Sequence, residues 1–160
     1  MPSHHTGPEQ ERLALDSFIK LMRASSTLSA NTVRRIKAHG LTEPQFAVLE
    51  VVFHLGPLHQ HSISEKLLMS GGNMSLVLDN LEKQRLIVRR SNPQDRRCTT
   101  IHLTEAGRAW MTDYFPLHAA FITRQLAALT VSEQRTLGRL CRKLGLAAAA
   151  NSGSDETNPS

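Results

Sequence analysis

SGGNMSLVLDNLEKQRLIVRRSNPQDRRCTTIHL, residues 70–103, changes its hydrophobic period partway along. Ser70-Gly71-Gly72-Asn73 breaks the chain and caps a new helical segment. Met74, Val77, Leu78 and Leu81 then recur every three or four positions, the spacing of one buried helix face. After Leu86 the pattern shortens. Ile87-Val88-Arg89-Arg90 and Thr99-Thr100-Ile101-His102-Leu103 are short runs with many β-branched residues, separated by Ser91-Asn92-Pro93-Gln94-Asp95, whose residue types favour a turn. The stretch therefore reads as a helix followed at once by a basic hairpin.

Helical patterns extend outward on both sides. Upstream, Ser62-Ile63-Ser64-Glu65 forms a capping box that should open a short helix through Leu67 and Leu68. Before it, Thr42-Glu43-Pro44-Gln45 is a second box, heading a helix with Phe46, Leu49, Val52 and Phe53 on its inner face and Gly56-Pro57 at its end. From Glu11 to about Ala38 the apolar residues Leu15, Phe18, Ile19, Met22, Leu28, Val33 and Ile36 mark a long helix that Gly40 should stop. Downstream, Thr104 caps a long helix to about Leu129, with Pro116 expected to kink or interrupt it. Thr130-Val131-Ser132-Glu133 caps a last one through about Leu146. Residues 1–10 and 151–160 lack apolar periodicity and read as disordered tails. The fold class is mainly α with a small β-hairpin wing, a winged helix-turn-helix between long helices.

A chain of 160 residues suits one domain. Two cysteines, Cys98 and Cys141, are too few for a disulfide framework, and no apolar run approaches the roughly 20 residues of a membrane span. A soluble cytoplasmic protein is expected. Lys and Arg outnumber Asp and Glu by 19 to 14, an excess that points to a polyanion only where it is clustered.

It is clustered. Arg85, Arg89, Arg90, Arg96, Arg97 and Arg108 face only Asp95 and Glu105 over that part of the chain. Arginine suits both phosphate contact and entry into a narrow minor groove. Asp95, beside Arg96 and Arg97, is expected to pair internally and stiffen the hairpin tip. The preceding helix has the size to enter a major groove with its N-terminus leading. There Ser70, Gly71, Gly72 and Asn73 offer backbone N–H groups to a phosphate, while Ser75, Leu76, Asn80 and Lys83 occupy the face opposite the apolar stripe. Taken alone, that helix would be an ordinary amphipathic helix with a polar face. The adjacent arginines favour a double-stranded DNA surface.

Residues 41–110 resemble the MarR family of transcriptional regulators. The likeness is carried by Leu41-Thr42-Glu43-Pro44-Gln45-Phe46, Ile63-Ser64-Glu65-Lys66-Leu67, Leu81-Glu82-Lys83, Asp95-Arg96-Arg97 and Leu103-Thr104-Glu105-Ala106-Gly107, in order and at the family's spacing. The resemblance implies a MarR-type domain over residues 11–150, with a winged helix-turn-helix at about 42–103 and dimerisation helices at about 11–38, 104–129 and 131–147. It implies a homodimer on a pseudopalindromic operator, usually repressing transcription. Leu13, Phe18, Trp110, Tyr114, Phe121, Leu137, Leu140 and Leu144 would supply the dimer interface. Arg97 would enter the minor groove with Asp95 supporting it. Two departures stand out: Arg85 where the family commonly has glycine, and Leu76 where relatives are often polar.

The resemblance also implies release from DNA by a small aromatic or phenolic ligand, or by cysteine oxidation. Cys98 adjoins Arg97, whose charge favours a thiolate, although an incidental strand residue is the simpler reading. Cys141 reads as core. His54, His59 and His61 match no standard zinc spacing, and His4-His5 alone lacks the ligand count of a metal site. No metal, cofactor or catalytic constellation is expected. A winged-helix module that grips an acidic protein partner, without sequence-specific DNA recognition, is the competing expectation.

Overall fold

A computed structural model describes residues 5–92 and 95–152, with side chains described except at 92–98 and 151–152. The elements run α1 (Glu9–Ala38), α2 (Glu43–Leu55), β1 (Leu58–His59), α3 (Gln60–Leu67), α4 (Gly71–Lys83), β2 (Ile87–Asn92), β3 (Asp95–Leu103), α5 (Glu105–Gln125) and α6 (Val131–Ser152). They divide into two compact units, residues 1–118 and 119–160.

The first unit holds the core. Thr42 caps α2 as its sequence requires: its hydroxyl accepts from the Gln45 N–H at 3.4 Å, and the Gln45 side chain accepts from the Thr42 N–H at 2.8 Å. Such a cap contributes about 1 kcal/mol. Phe46, Val48, Leu49 and Val52 of α2 are buried with Ile36 of α1, Ile63 of α3, Met74, Leu78 and Leu81 of α4, Ile87 and Ile101 of the sheet, and Met111 of α5. Gly40, at φ 86°, ends α1 in the left-handed conformation that glycine adopts without steric cost.

The sheet has three antiparallel strands in the order β1-β3-β2. The β2–β3 hairpin is the expected wing, and its strands reach further into the expected turn, with an irregularity between Ser91 and Asn92. Sequence reading missed β1. Leu58 pairs with Ile101 and His59 with Thr100. That pairing corrects the start of α3. The chain leaves the sheet straight into a helix at Gln60 with His59 as N-cap, so the Ser62 box does not form. The Ser64 hydroxyl turns back instead and donates to the Gln60 carbonyl at 3.1 Å.

Thr104 caps α5, accepting from the Gly107 N–H at 3.0 Å. Pro116 does not interrupt this helix, which stops at Gln125 rather than Leu129. Helix extends into both stretches expected as disordered tails, since α1 begins at Glu9 and α6 includes Asn151 and Ser152.

In the second unit, Gln134 Nε2 of α6 donates to the carbonyls of Leu126 and Leu129, at 3.2 and 3.0 Å. Thr130 and Glu133 form the expected capping box: the carboxylate accepts from both the N–H and hydroxyl of Thr130. Those bonds hold the Glu133 carboxyl below its ordinary pKa. Among the described side chains of α6 none is buried. Cys141, read as core, is exposed there. Among the described residues no helix is long and apolar enough to cross a membrane.

Candidate nucleic-acid interface

Two helix N-termini and one strand surround an open groove of about 580 Å³. His59, Gln60, His61, Ser62 and Ser64 line it from the start of α3, Gly71 from the start of α4, and Thr99 from β3. Unsatisfied N–H groups and the positive ends of both helix dipoles favour an anion at such a place. Ser70 caps α4, its hydroxyl accepting from the Asn73 N–H at 3.4 Å. Gly71 and Gly72 have no neighbour that a Cβ would touch, so their outer side is open.

Of the expected recognition residues, Ser70, Gly71, Gly72, Asn73, Leu76 and Lys83 are exposed. Ser75 and Asn80 are half-buried, so the outward face is narrower than the polar pattern suggests. The Ser75 hydroxyl accepts from Gln60 Nε2 at 3.1 Å, which ties α4 to the start of α3. Asp79, absent from the sequence reading of the site, is exposed on this helix.

The wing residues divide. Arg90 is exposed, and its carbonyl accepts from the Thr100 hydroxyl at 3.2 Å. Arg89, expected to face DNA, turns back onto the protein. Its guanidinium meets Asp79 at 2.7 Å and Glu82 at 2.8 Å, and donates to the Ser75 carbonyl at 3.4 Å. Its N–H donates to the Glu82 carboxylate at 3.2 Å. Partial burial opposes its charge, but the hydrogen bonds and charges of Asp79 and Glu82 outweigh that and raise its pKa. The side chains of Asp95, Arg96, Arg97 and Cys98, and with them the expected internal pairing of Asp95, lie outside the described residues.

The corner from α4 into β2 is a Schellman motif: Leu86 N–H donates to the Leu81 carbonyl and Arg85 N–H to that of Glu82. Arg85 takes the left-handed position, φ 58°. Thr104 pins the corner from the far end of the wing, its hydroxyl donating to the Arg85 carbonyl at 2.6 Å and its N–H to the Leu86 carbonyl at 3.1 Å. Gly107 is buried against the same Leu86 carbonyl, where a Cβ would overlap the oxygen. The wing thus enters and leaves through one fixed point beside α4.

A ring cluster lies in the same unit. Phe46 meets Tyr114 edge-on at 5.5 Å, and Trp110 and His39 lie 4.7 and 4.5 Å from Tyr114. His118 lies 4.6 Å from Phe46. Tyr114, expected at the dimer interface, is buried within its own chain at 3% exposure, and Trp110 is half-buried beside it. Burial raises the Tyr114 pKa and lowers that of His118. Leu13 and Phe18 of α1, and Leu137, Leu140 and Leu144 of α6, are exposed in the single chain, while Phe121 is half-buried. His54 packs against Phe115 at 4.5 Å, and His61 pairs with Glu65 at 3.2 Å. Among the described residues no three metal-ligating side chains gather.

A helix-turn-helix joined through a fixed corner to a basic hairpin defines a winged helix-turn-helix protein. The sequence pattern of the MarR family matches residues 41–99. The HTH-type transcriptional regulator MhqR of Bacillus subtilis strain 168 is 35% identical over 133 residues, spanning 83% of this chain and 92% of that protein. A crystal structure of a probable transcriptional regulator from Pseudomonas aeruginosa is 30% identical, with a TM-score of 0.67 over 80% of this chain and 95% of that one. MepR of S. aureus, solved in complex with DNA, shares the fold at a TM-score of 0.71 and 22% identity, over 82% and 96% of the two chains. The chain belongs to the MarR family of transcriptional regulators.

Proposed function

We propose that the protein is a homodimeric, sequence-specific DNA-binding regulator, acting as a repressor that a small aromatic or phenolic ligand, or an oxidative signal, releases. The observation that carries this reading is the groove where α3 and α4 both present their N-termini beside the wing strand. Phosphates meet those N–H groups, and the first turn of α4 with Leu76 and Lys83 faces base edges. Arg90, Arg96 and Arg97 extend the contact along the backbone or into the minor groove, with Asp95 holding the tip. MepR in complex with DNA supports the same use of a shared fold.

Dimerisation is supported by the exposed apolar residues of α1 and α6, which have no reason to face water. An aromatic effector is supported by the rings around Tyr114. Among the described residues, the Tyr114 hydroxyl and His118 Nδ1 are buried without a hydrogen-bond partner, polar atoms that a phenolic ligand would satisfy once the ring cluster opens to admit it. For the oxidative signal, Cys141 offers an exposed thiol.

Titration of the protein into a palindromic duplex with half-sites about one helical turn apart, compared with a scrambled duplex, tests the reading. Binding in the nanomolar range to the palindrome is expected, weakened by Arg97→Ala at about 1–3 kcal/mol. Unchanged affinity in that variant removes the wing from the mechanism. Strong binding to an acidic protein with only salt-sensitive, sequence-blind DNA affinity overturns the regulator in favour of a protein-interaction module.

A further inference from the structure

Arg89 sits at the base of β2, and its guanidinium bridges two carboxylates that lie one turn apart on α4. Asp79 is three residues beyond Leu76, about 60° round the helix, on the side that faces away from the core. Its side chain is 53% exposed and that of Glu82 41%, whereas Arg89 is only 24% exposed. Two carboxylates on a helix that must lie against a polyanion are a liability unless a cation cancels them. Arg89 is within 2.8 Å of both. The same guanidinium reaches the Ser75 carbonyl, so three successive turns of α4 are fastened to the wing by one side chain.

We infer that Arg89 is a positioning residue, not a phosphate contact: it fastens the recognition helix to the wing base and cancels Asp79 and Glu82 so that this helix can approach DNA. The inference rests on the DNA-binding reading above. Arginine is suited to the task because its planar fork serves two carboxylates and a carbonyl together, which an ammonium cannot do.

A cycle of variants in the full-length protein separates the two roles. Affinity is read by fluorescence anisotropy on a duplex selected from random sequence by the wild-type protein, and on a random duplex as reference. Arg89→Ala in the native background is expected to weaken binding to the selected duplex about tenfold, because two carboxylates then face the phosphates uncancelled. With Asp79→Asn and Glu82→Gln already in place, the same Arg89→Ala change is expected to cost less than about threefold, a coupling that only interacting groups show. Equal losses in both backgrounds overturn the inference, since an arginine on a phosphate loses that contact whatever the helix carries. Should Arg89→Ala fail to fold by circular dichroism, Arg89→Lys is read in the same cycle. It keeps the charge but serves one carboxylate at a time, so a loss confined to the native background supports the inference and an equal loss refutes it. A wild-type protein that binds neither duplex defeats the DNA-binding reading itself, which is a different failure from equal losses in a protein that binds.

Discussion

The junction around Leu86 and the helix from Val131 onward treat the same raw material in opposite ways. Both carry apolar residues at helical or strand spacing. At the junction they are covered: Leu81 and Ile87 are buried, and the corner is held by its own Schellman bonds, by Thr104 on the Arg85 carbonyl and by the Arg89 N–H on Glu82. Along α6, Leu137, Leu140 and Leu144 form a stripe that remains 39–55% exposed. Rigidity at the first site suits the proposed DNA-facing surface, on which base-reading and backbone-reading groups need a fixed register. An uncovered stripe at the second suits a surface completed by another molecule, which in the proposed homodimer is a second copy of the chain.

The sharpest way to break the comparison is Gly107→Ala. The new Cβ meets the Leu86 carbonyl oxygen, which is backbone already held by Thr104 and cannot retreat. A loss of at least about 3 kcal/mol is expected, the upper range for overpacking. Urea unfolding measures it, and a loss under about 1 kcal/mol would show the junction to be softer than its bonds imply. Leu140→Glu should behave differently. Its side chain is 49% exposed in the single chain, so helix content should hold while self-association weakens by about 2 kcal/mol per protomer. Sedimentation velocity reads the result. A dimer that survives the change takes this stripe out of the interface.

How much the sequence disclosed depends on the range of the interactions involved. Local signals were legible. The Thr42, Thr104 and Thr130 caps, the stop at Gly40 and the apolar face of α4 each depend on residues within a turn of one another. Long-range pairing was not. Leu58 and His59 look like loop because nothing nearby reveals that Ile101 and Thr100 will pair with them, and once they do, the Ser62 capping box loses its helix start. Charge was legible as a cluster but not as a division of labour. Arg89 and Arg90 are indistinguishable side by side, yet strand alternation sends neighbouring side chains to opposite faces, one toward Asp79 and Glu82 and one outward. The burial of Tyr114 by its own chain was illegible for a related reason: an aromatic on an amphipathic helix gives no sign of whether its own chain or a partner covers it.

The smallest expected effect tests the junction from the other direction. Arg85 holds a left-handed conformation, which costs a residue with a Cβ about 1–2 kcal/mol relative to glycine. Arg85→Gly removes that strain but widens the freedom of the unfolded chain by about 0.5–1 kcal/mol. The net expectation is a gain near 0.5 kcal/mol, a rise of about 1–2 °C in melting temperature for a chain of this size. Lys83→Gly, two residues earlier in right-handed helix, is the control and should cost about 1 kcal/mol. Opposite signs at the two positions would show that the corner tolerates arginine at a cost, held in place by the bond from the Thr104 hydroxyl to the Arg85 carbonyl. A fall at both would mean that the Arg85 side chain itself supports the corner, and the backbone bonds would then no longer suffice to explain why the wing leaves α4 at a fixed angle.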